Sequence, residues 1–256
     1  MSTALARPGL VERALPVVSF LLLLAAWQVA AAWAGDPVRL PGPLLVVERM
    51  AAEAATGELF HHLAVTLARV AAAFVVAMAI GTAIGIALGR SALADRLFQV
   101  WVLLFLNLPA LVTIVLCYLW IGLTEAALVT AVAINKIPNV AVIVREGTRA
   151  LDRGLGEMAE AFAFGPRRTL AHVVLPQLYP SLAAAARSGL ALIWKIVLVT
   201  ELLGRSSGVG FQIGLYFQLF DVATILAYAL AFIAVILAVE AFLVAPLERR
   251  AVRWRR

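Results

Sequence analysis

The chain is poor in charge and nearly devoid of reactive sulfur. Asp, Glu, Lys and Arg make up 14% of its 256 residues, against about a quarter in an ordinary soluble domain. That is too little to cover a chain that is 64% hydrophobic with a water-facing surface. The single cysteine, Cys117, lies within an apolar run, which excludes an intramolecular disulfide and a CxxC metal or redox site. No Gly-x-x-x-x-Gly-Lys-Ser/Thr occurs, so a nucleotide-binding loop of the usual kind is absent. The glycines of GRSSGVGFQIG, from Gly204 onward, do not replace it. No strand precedes them and no Gly-Lys-Ser/Thr follows, which leaves a re-entrant or tight turn as their reading. His61 and His62 are adjacent, so they do not share a helix face, and they read as interfacial histidines rather than metal ligands.

What is present is lipid-soluble. Mean hydropathy is +0.99, and the expectation is an all-α integral membrane protein, one domain over residues 1–256. Six transmembrane helices are predicted near 14–34, 70–89, 97–120, 126–144, 182–203 and 222–244. The first run is too long for a signal-peptide core and is read as a retained span. The segment 44–63 mixes Glu48, Arg49, Glu53 and Glu58 with apolar residues, which suits a helix lying along the outer interface. Gly81, Gly85 and Gly89 recur every four residues and line up as a groove, which serves close helix packing or borders a pathway. Asn107 and Pro109 fall mid-way along the third span, where proline removes a backbone hydrogen bond and bends the helix; the bend serves either packing or a pathway.

The net charge of +6 does not point to nucleic acid, because the basic residues border apolar runs, where the positive-inside effect and anionic lipid account for them. The N-terminus, the turn at Arg90, the stretch 145–180 and the tail LERRAVRWRR are arginine-rich. The turn at Gly122 has none, and the Gly204 loop has only Arg205. This alternation predicts six crossings with both termini cytoplasmic.

The polar stretch 145–180 holds most of the charge between spans. Leu151, Leu155, Met158 and Phe162 form one apolar stripe, predicting a short amphipathic helix. Gly165 is read as its breaker and Pro166 as the first turn of a second helix carrying Leu170, Val173 and Val174. The stripe either packs on the protein's own helix ends or awaits a partner.

This stretch resembles the cytoplasmic signature of binding-protein-dependent ABC importer permeases, Glu-Ala-Ala, three residues, Gly, nine residues, Ile, one residue, Leu-Pro. Glu157, Met158, Ala159, then Ala163, Val173, Leu175 and Pro176 match it without a gap. Met158 stands for Ala and Ala163 for Gly. Gly165 could take the place of that Gly only with a two-residue deletion, so the sharp turn falls at either. The likeness extends over nearly the whole chain and is nearest the nitrate, sulfonate and taurine type through LPGPLLVVERM, HLAVTLARVAAAFVVAMAIGTAIGIALG and ELLGRSSGVG.

The resemblance implies a type I, MetI-like permease fold in the bacterial inner membrane. It implies a second permease copy, two separate ATP-binding subunits, an extracytoplasmic solute-binding protein and no cofactor. Glu157, Met158, Ala159, Ala163, Phe164, Gly165 and Pro166 would form the coupling helix and turn that meets the ATPase. An anion pathway would draw on Asn107, Asn135, Lys136, Lys195 and Glu201. Lys136 lies within a span, where an unpaired cation costs about 2.5–3.5 kcal/mol. Lys195 is about 12 Å along its helix from Arg187. Either lysine could instead pair with Glu201 and hold helices together. A self-sufficient secondary transporter or channel is the alternative, but no half-to-half repeat supports it. No nucleophile with an adjacent base in the spans supports a membrane enzyme.

Overall fold

The computed structural model describes residues 10–246; Arg7 and the basic tail from Leu247 onward lie outside them. The helices are α1 (Leu10–Ala34), α2 (Pro43–Thr56), α3 (Glu58–Arg90), α4 (Ala92–Leu106), α5 (Ala110–Ile121), α6 (Glu125–Arg149), α7 (Arg153–Ala161), α8 (Pro166–Thr169), α9 (Leu175–Gly204), α10 (Val209–Gln218) and α11 (Val222–Val239). Five helices are long and apolar enough to cross a membrane, and six crossings result if α4 and α5 make one broken span.

The centre of the bundle is the α3–α6 contact, and the glycine stripe makes it. A Cβ built on Gly81 would lie 2.6 Å from the Val140 Cβ, one on Gly85 2.7 Å from the Val144 Cβ, and one on Gly89 2.9 Å from the Arg145 carbonyl oxygen. Lipid chains are as apolar as leucine, so helix association in a bilayer rests on close packing of this kind. Around that seam, α9, α10 and α11 add Ile193, Trp194, Val197, Val209, Tyr228 and Phe232 to a core begun by Leu63 and Val70 of α3.

Several boundaries differ from the hydropathy reading. The second span starts at Glu58 rather than near 70, because His62, Thr66 and Arg69 are buried against partners, so polar side chains do not end the helix. The segment 44–63 is therefore not one interfacial helix: α2 ends at Gly57, whose φ of 86° suits a residue without a Cβ, and α3 begins immediately.

The third span is broken rather than bent gently, with α4 and α5 meeting at 94°. Pro109 lacks an N–H and disfavours a helical residue before it, and the Asn107 side-chain amide donates to the Leu103 carbonyl at 2.8 Å, closing the end of α4. The bend leaves an apolar groove of about 470 Å³ between α3, α4 and α6, lined by Ile84, Phe98, Trp101, Phe105 and Ile137.

The helix that carries the fifth span begins far before 182. From Pro166 the helix runs unbroken to Gly204, through a π turn at Leu170–Val174 in which the Leu175 N–H reaches back to the Leu170 carbonyl. The wider turn accommodates Pro176, which lacks the N–H that a regular turn would use. The loop between the fourth and fifth spans is correspondingly shorter than 145–180.

At the end of the bundle where this loop lies, Asp95 at the start of α4 is bound by Arg145 at 3.1 Å and Arg149 at 2.5 Å from the end of α6. Helix α1 stands apart: none of its apolar window is buried within the chain, and the Trp27 indole N–H donating to the Pro41 carbonyl at 3.0 Å links it to the segment before α2.

The α3–α6 seam has no room for side chains. Gly85→Leu is expected to force these helices apart and destabilise the protein by at least about 1–3 kcal/mol. Loss of the monodisperse peak on heating detergent-solubilised protein, at a markedly lower temperature than wild type, checks this.

Candidate functional site

Three groups of residues stand out, one at the loop end, one in mid-membrane and one at the opposite end. At the loop end, α7 is begun by Asp152, whose Oδ1 accepts from the Gly154 N–H at 2.8 Å. The Asp152 N–H in turn donates to the Gln177 side chain at 2.9 Å, which ties the start of α7 to α9.

The other end of α7 is closed by two backward hydrogen bonds, Ala163 N–H to Glu160 carbonyl at 2.9 Å and Phe164 N–H to Ala159 carbonyl at 2.8 Å. This is a Schellman turn, whose left-handed residue is usually glycine; here it is Ala163, with φ 52°. Gly165 has φ −67° and open space around it, and caps α8. The sharp turn is thus at Ala163, and Gly165 is not the residue that breaks the helix.

Of the α7 residues singled out from the sequence, Ala159 is buried at 1% exposure while Glu157 and Met158 are exposed. Beyond the helix, Phe164 lies under the Arg168 guanidinium at 4.6 Å, and Ala163, Gly165 and Pro166 are exposed. Leu155, Met158 and Phe162 are 40%, 37% and 72% exposed. Leu151, at the head of the predicted stripe, packs on the chain's own helices beside Val140, Val144, Val174 and Leu178, so the stripe is open only from Leu155 to Phe162.

In mid-membrane, Lys136 is fully enclosed. Its ammonium donates to Asn139 Oδ1 at 2.8 Å, and the lack of a side chain at Gly189 makes room for its stem. Ser188, on the exposed face of α9, shares the same Asn139 oxygen at 3.4 Å. Asn135 is half-buried and its amide donates to the Ala131 carbonyl. Lys195 is exposed on α9, with no ion-pair partner among the described residues. Asn107 is exposed at the α4–α5 break. These residues do not form one cluster.

The opposite end is organised by Arg69, which the sequence reading did not single out. Each of its five N–H groups has an acceptor. Nη1 bonds Glu201 at 2.8 Å and the Ser207 carbonyl at 2.6 Å; Nε and Nη2 bond Glu125 at 2.9 and 2.6 Å; Nη2 also bonds the Ser207 hydroxyl at 3.0 Å. Glu201, with no exposed surface, also accepts from Thr66 at 2.9 Å and from the Gly210 N–H at 2.9 Å. Its ion pair is with Arg69 and not with Lys136 or Lys195.

Around this pair the segment after Gly204 turns back into the bundle. Gly210 lies so close to the Leu198 carbonyl that no Cβ would fit, and a Cβ on Gly208 would strike the Glu201 carboxylate. His62 is buried, not interfacial, and Nδ1 accepts from the Gly208 N–H at 2.9 Å; His61 is exposed. No group of three His, Cys, Asp or Glu suited to a metal occurs among the described residues.

Nearby, Glu53 of α2 accepts from the hydroxyls of Tyr216 at 3.1 Å and Tyr228 at 2.8 Å. Burial and that carboxylate push the Tyr216 hydroxyl above its ordinary pKa. The signal for this end was in the sequence: His62, Thr66 and Arg69 fall at i, i+4 and i+7 on an otherwise apolar helix.

Removing Arg69 would leave the buried Glu201 carboxylate without its cation. Arg69→Met is expected to lower stability by about 3–5 kcal/mol, and Glu201→Gln, which keeps the shape and one acceptor, by less. Thermal unfolding of the two variants in the same detergent gives the order.

Residues 77–252 match the family described as binding-protein-dependent transport system inner membrane component. Among curated relatives, a putative aliphatic sulfonates transport permease, SsuC of Escherichia coli K12, is 35% identical over 74% of this chain and 72% of its own length. The riboflavin transport system permease RibX of Chloroflexus aurantiacus is 33% identical over 93% and 88%, and the taurine transport system permease TauC of Escherichia coli K12 is 26% identical over 91% and 86%. Among solved structures, an amino acid ABC transporter superposes with TM-score 0.62 at 20% identity over 78% of this chain and 97% of that one. The MetNI methionine ABC transporter gives 0.58 at 20% over 73% and 91%, so the fold is the MetI-like permease fold. The chain belongs to the membrane-spanning permease subunits of binding-protein-dependent ABC importers.

Proposed function

We propose that this permease works as a homodimer driven from the cytosol through α7, with two ATP-binding subunits on the loop end and a solute-binding protein on the other. The observation that carries the reading is the open stripe of Leu155, Met158 and Phe162, on a helix fixed at both ends by Gln177 and the Ala163 turn. A rigid, partly apolar knob with Glu157 and Glu160 beside it suits a cleft in another protein better than water. Glu157, Met158, Ala159, Ala163, Phe164, Gly165 and Pro166 form this knob and turn. With no Walker sequence in the chain, ATP hydrolysis falls to the partner, and nucleotide-driven closure would reach the spans as a rigid-body tilt, through α7 and its tie to α9.

The arginine distribution supports a topology with the loop end and both termini in the cytoplasm of a bacterial cell. Two features ask for a second copy. Lys195 is an exposed cation at membrane depth, where facing lipid is unfavourable, and the apolar stretch Leu15–Ala34 of α1 is not buried among the described residues. A pair of chains with the Ser188–Lys195 face of α9 turned inward gives a polar path bearing one cation from each. Such a path suits an anion, and of the solutes named for the relatives it favours a sulfonate. Asn135 and Asn107 would border it, whereas Lys136 and Glu201 would act from inside the wall.

Two variants test the halves of this reading. Glu157→Lys is expected to insert normally but to lose solute uptake in the reconstituted complex; uptake and ATPase binding at wild-type levels would remove α7 from the coupling role. Lys195→Met is expected to reduce sulfonate uptake about tenfold or more with the complex intact, consistent with loss of a charge contact of roughly 1.5–3 kcal/mol. Loss of assembly instead would make Lys195 an interface residue.

A further inference from the structure

The buried His62 has a role that the Arg69–Glu201 pair does not share. Its Nδ1 accepts from the Gly208 N–H at 2.9 Å, so that nitrogen carries no proton and the ring is neutral with its hydrogen on Nε2. Nε2 lies 2.5 Å from the Gln212 amide nitrogen, while Gln212 Oε1 is buried without a partner. Exchanging the two amide atoms of Gln212 lets the His62 Nε2–H donate to Oε1. The neutral ring thus bridges the re-entrant turn, 205–208, to the first turn and a half of α10. A second proton would set Nδ1–H against the Gly208 N–H, two donors face to face.

Gly208, at φ 105°, has no side chain to hold it. Its neighbours Val209 and Gly210 are held by Thr66 and Glu201, so the His62 bond is the one contact of this turn that an imidazole proton can cancel.

We propose that His62 is the positioning residue of this end of the permease: its neutral ring pins the re-entrant turn, and uptake of a proton releases the turn and the start of α10. The groups facing the ring are Glu58, with Oε2 3.3 Å from Nε2, and His61 on α3. Glu53 of α2, Tyr228 of α11 at 6.2 Å and Glu201 of α9 complete its surroundings. Glu58 is the partner at hand for a charged ring.

The inference rests on the proposed orientation only for which side's acid is sensed. Hydrogen–deuterium exchange of the purified chain, corrected for the intrinsic pH dependence of amide exchange, reads the pin directly. Between about pH 7.5 and about pH 4.5, a range that extends below ordinary imidazole titration, the peptide containing Gly208 should lose about tenfold in protection, the worth of one hydrogen bond. His62→Asn, whose Oδ1 stands where Nδ1 does and accepts from Gly208 without titrating, should hold its protection constant. Glu58→Gln should move the wild-type midpoint to lower pH.

Wild-type protection that does not change with pH would overturn the proposal. So would a His62→Asn profile that follows wild type, or an unmoved midpoint in Glu58→Gln should His62→Asn fail to fold. Acidifying one side of proteoliposomes separates the orientation: a response to acid on the loop side would overturn the orientation and leave the pin standing.

Discussion

A charge inside a bilayer has no water to fall back on, and the way this chain handles that constraint sets most of its architecture. Arg69 and Glu201 are both enclosed, and neither would be stable there alone. Together they draw in Glu125, Ser207, Thr66 and the Gly210 amide, which with Glu201 itself join α3, α6, α9, α10 and the turn before α10. One ion pair thus specifies the mutual position of four helices at one end. At the other end Asp95, Arg145 and Arg149 do the same for α4 and α6. Between these two polar locks the α3–α6 seam has no side chains at Gly81 and Gly85, and packing alone holds it. The bundle is locked at both ends and close-packed in the middle, which suits a part that is tilted as a body.

The sequence showed the crossings because composition and length suffice for them. It also showed the glycine stripe, whose four-residue spacing leaves one geometric meaning, and the amphipathic α7, whose apolar residues follow the helical period. Where it fell short, the missing information was tertiary. Nothing local tells that Thr66 and Arg69 meet Glu201, more than 130 residues away, so the helix appeared to begin near 70 and Glu201 appeared available to a lysine. The break at Pro109 was legible, but its angle of 94° was not, because proline removes a hydrogen bond without dictating how far the two halves swing. The π turn at 170–174 escaped for a related reason: Leu-Pro ordinarily marks a boundary, and only an extra residue in the preceding turn lets the helix pass through it.

Ala163 departs from the family pattern in residue type but keeps the backbone conformation that the pattern requires. A glycine is expected at a left-handed helix end because it has no Cβ to clash. Alanine can adopt φ 52° at an energy of about 1 kcal/mol, and the two backward hydrogen bonds to Glu160 and Ala159 hold it there. Gly165, two residues on, is conformationally ordinary. The position in the chain, and not the identity of the nearest glycine, marks the turn.

The two ends of the molecule differ in what they leave open. At the loop end the polar groups within the lock are paired, yet an apolar stripe on α7 stays uncovered, so the surface is complete in charge and incomplete in packing. Mid-membrane it is the reverse: α9 is well packed at Ile193, Trp194 and Val197, while Lys195 remains an exposed cation. An uncovered apolar face is stabilised by another protein surface, and an exposed cation at this depth by water or an anion. A single chain supplies neither. In the proposed assembly a second copy would enclose the Lys195 face in a watered path and an ATP-binding partner would receive α7, so the two deficits of the isolated chain would be met by two different contacts.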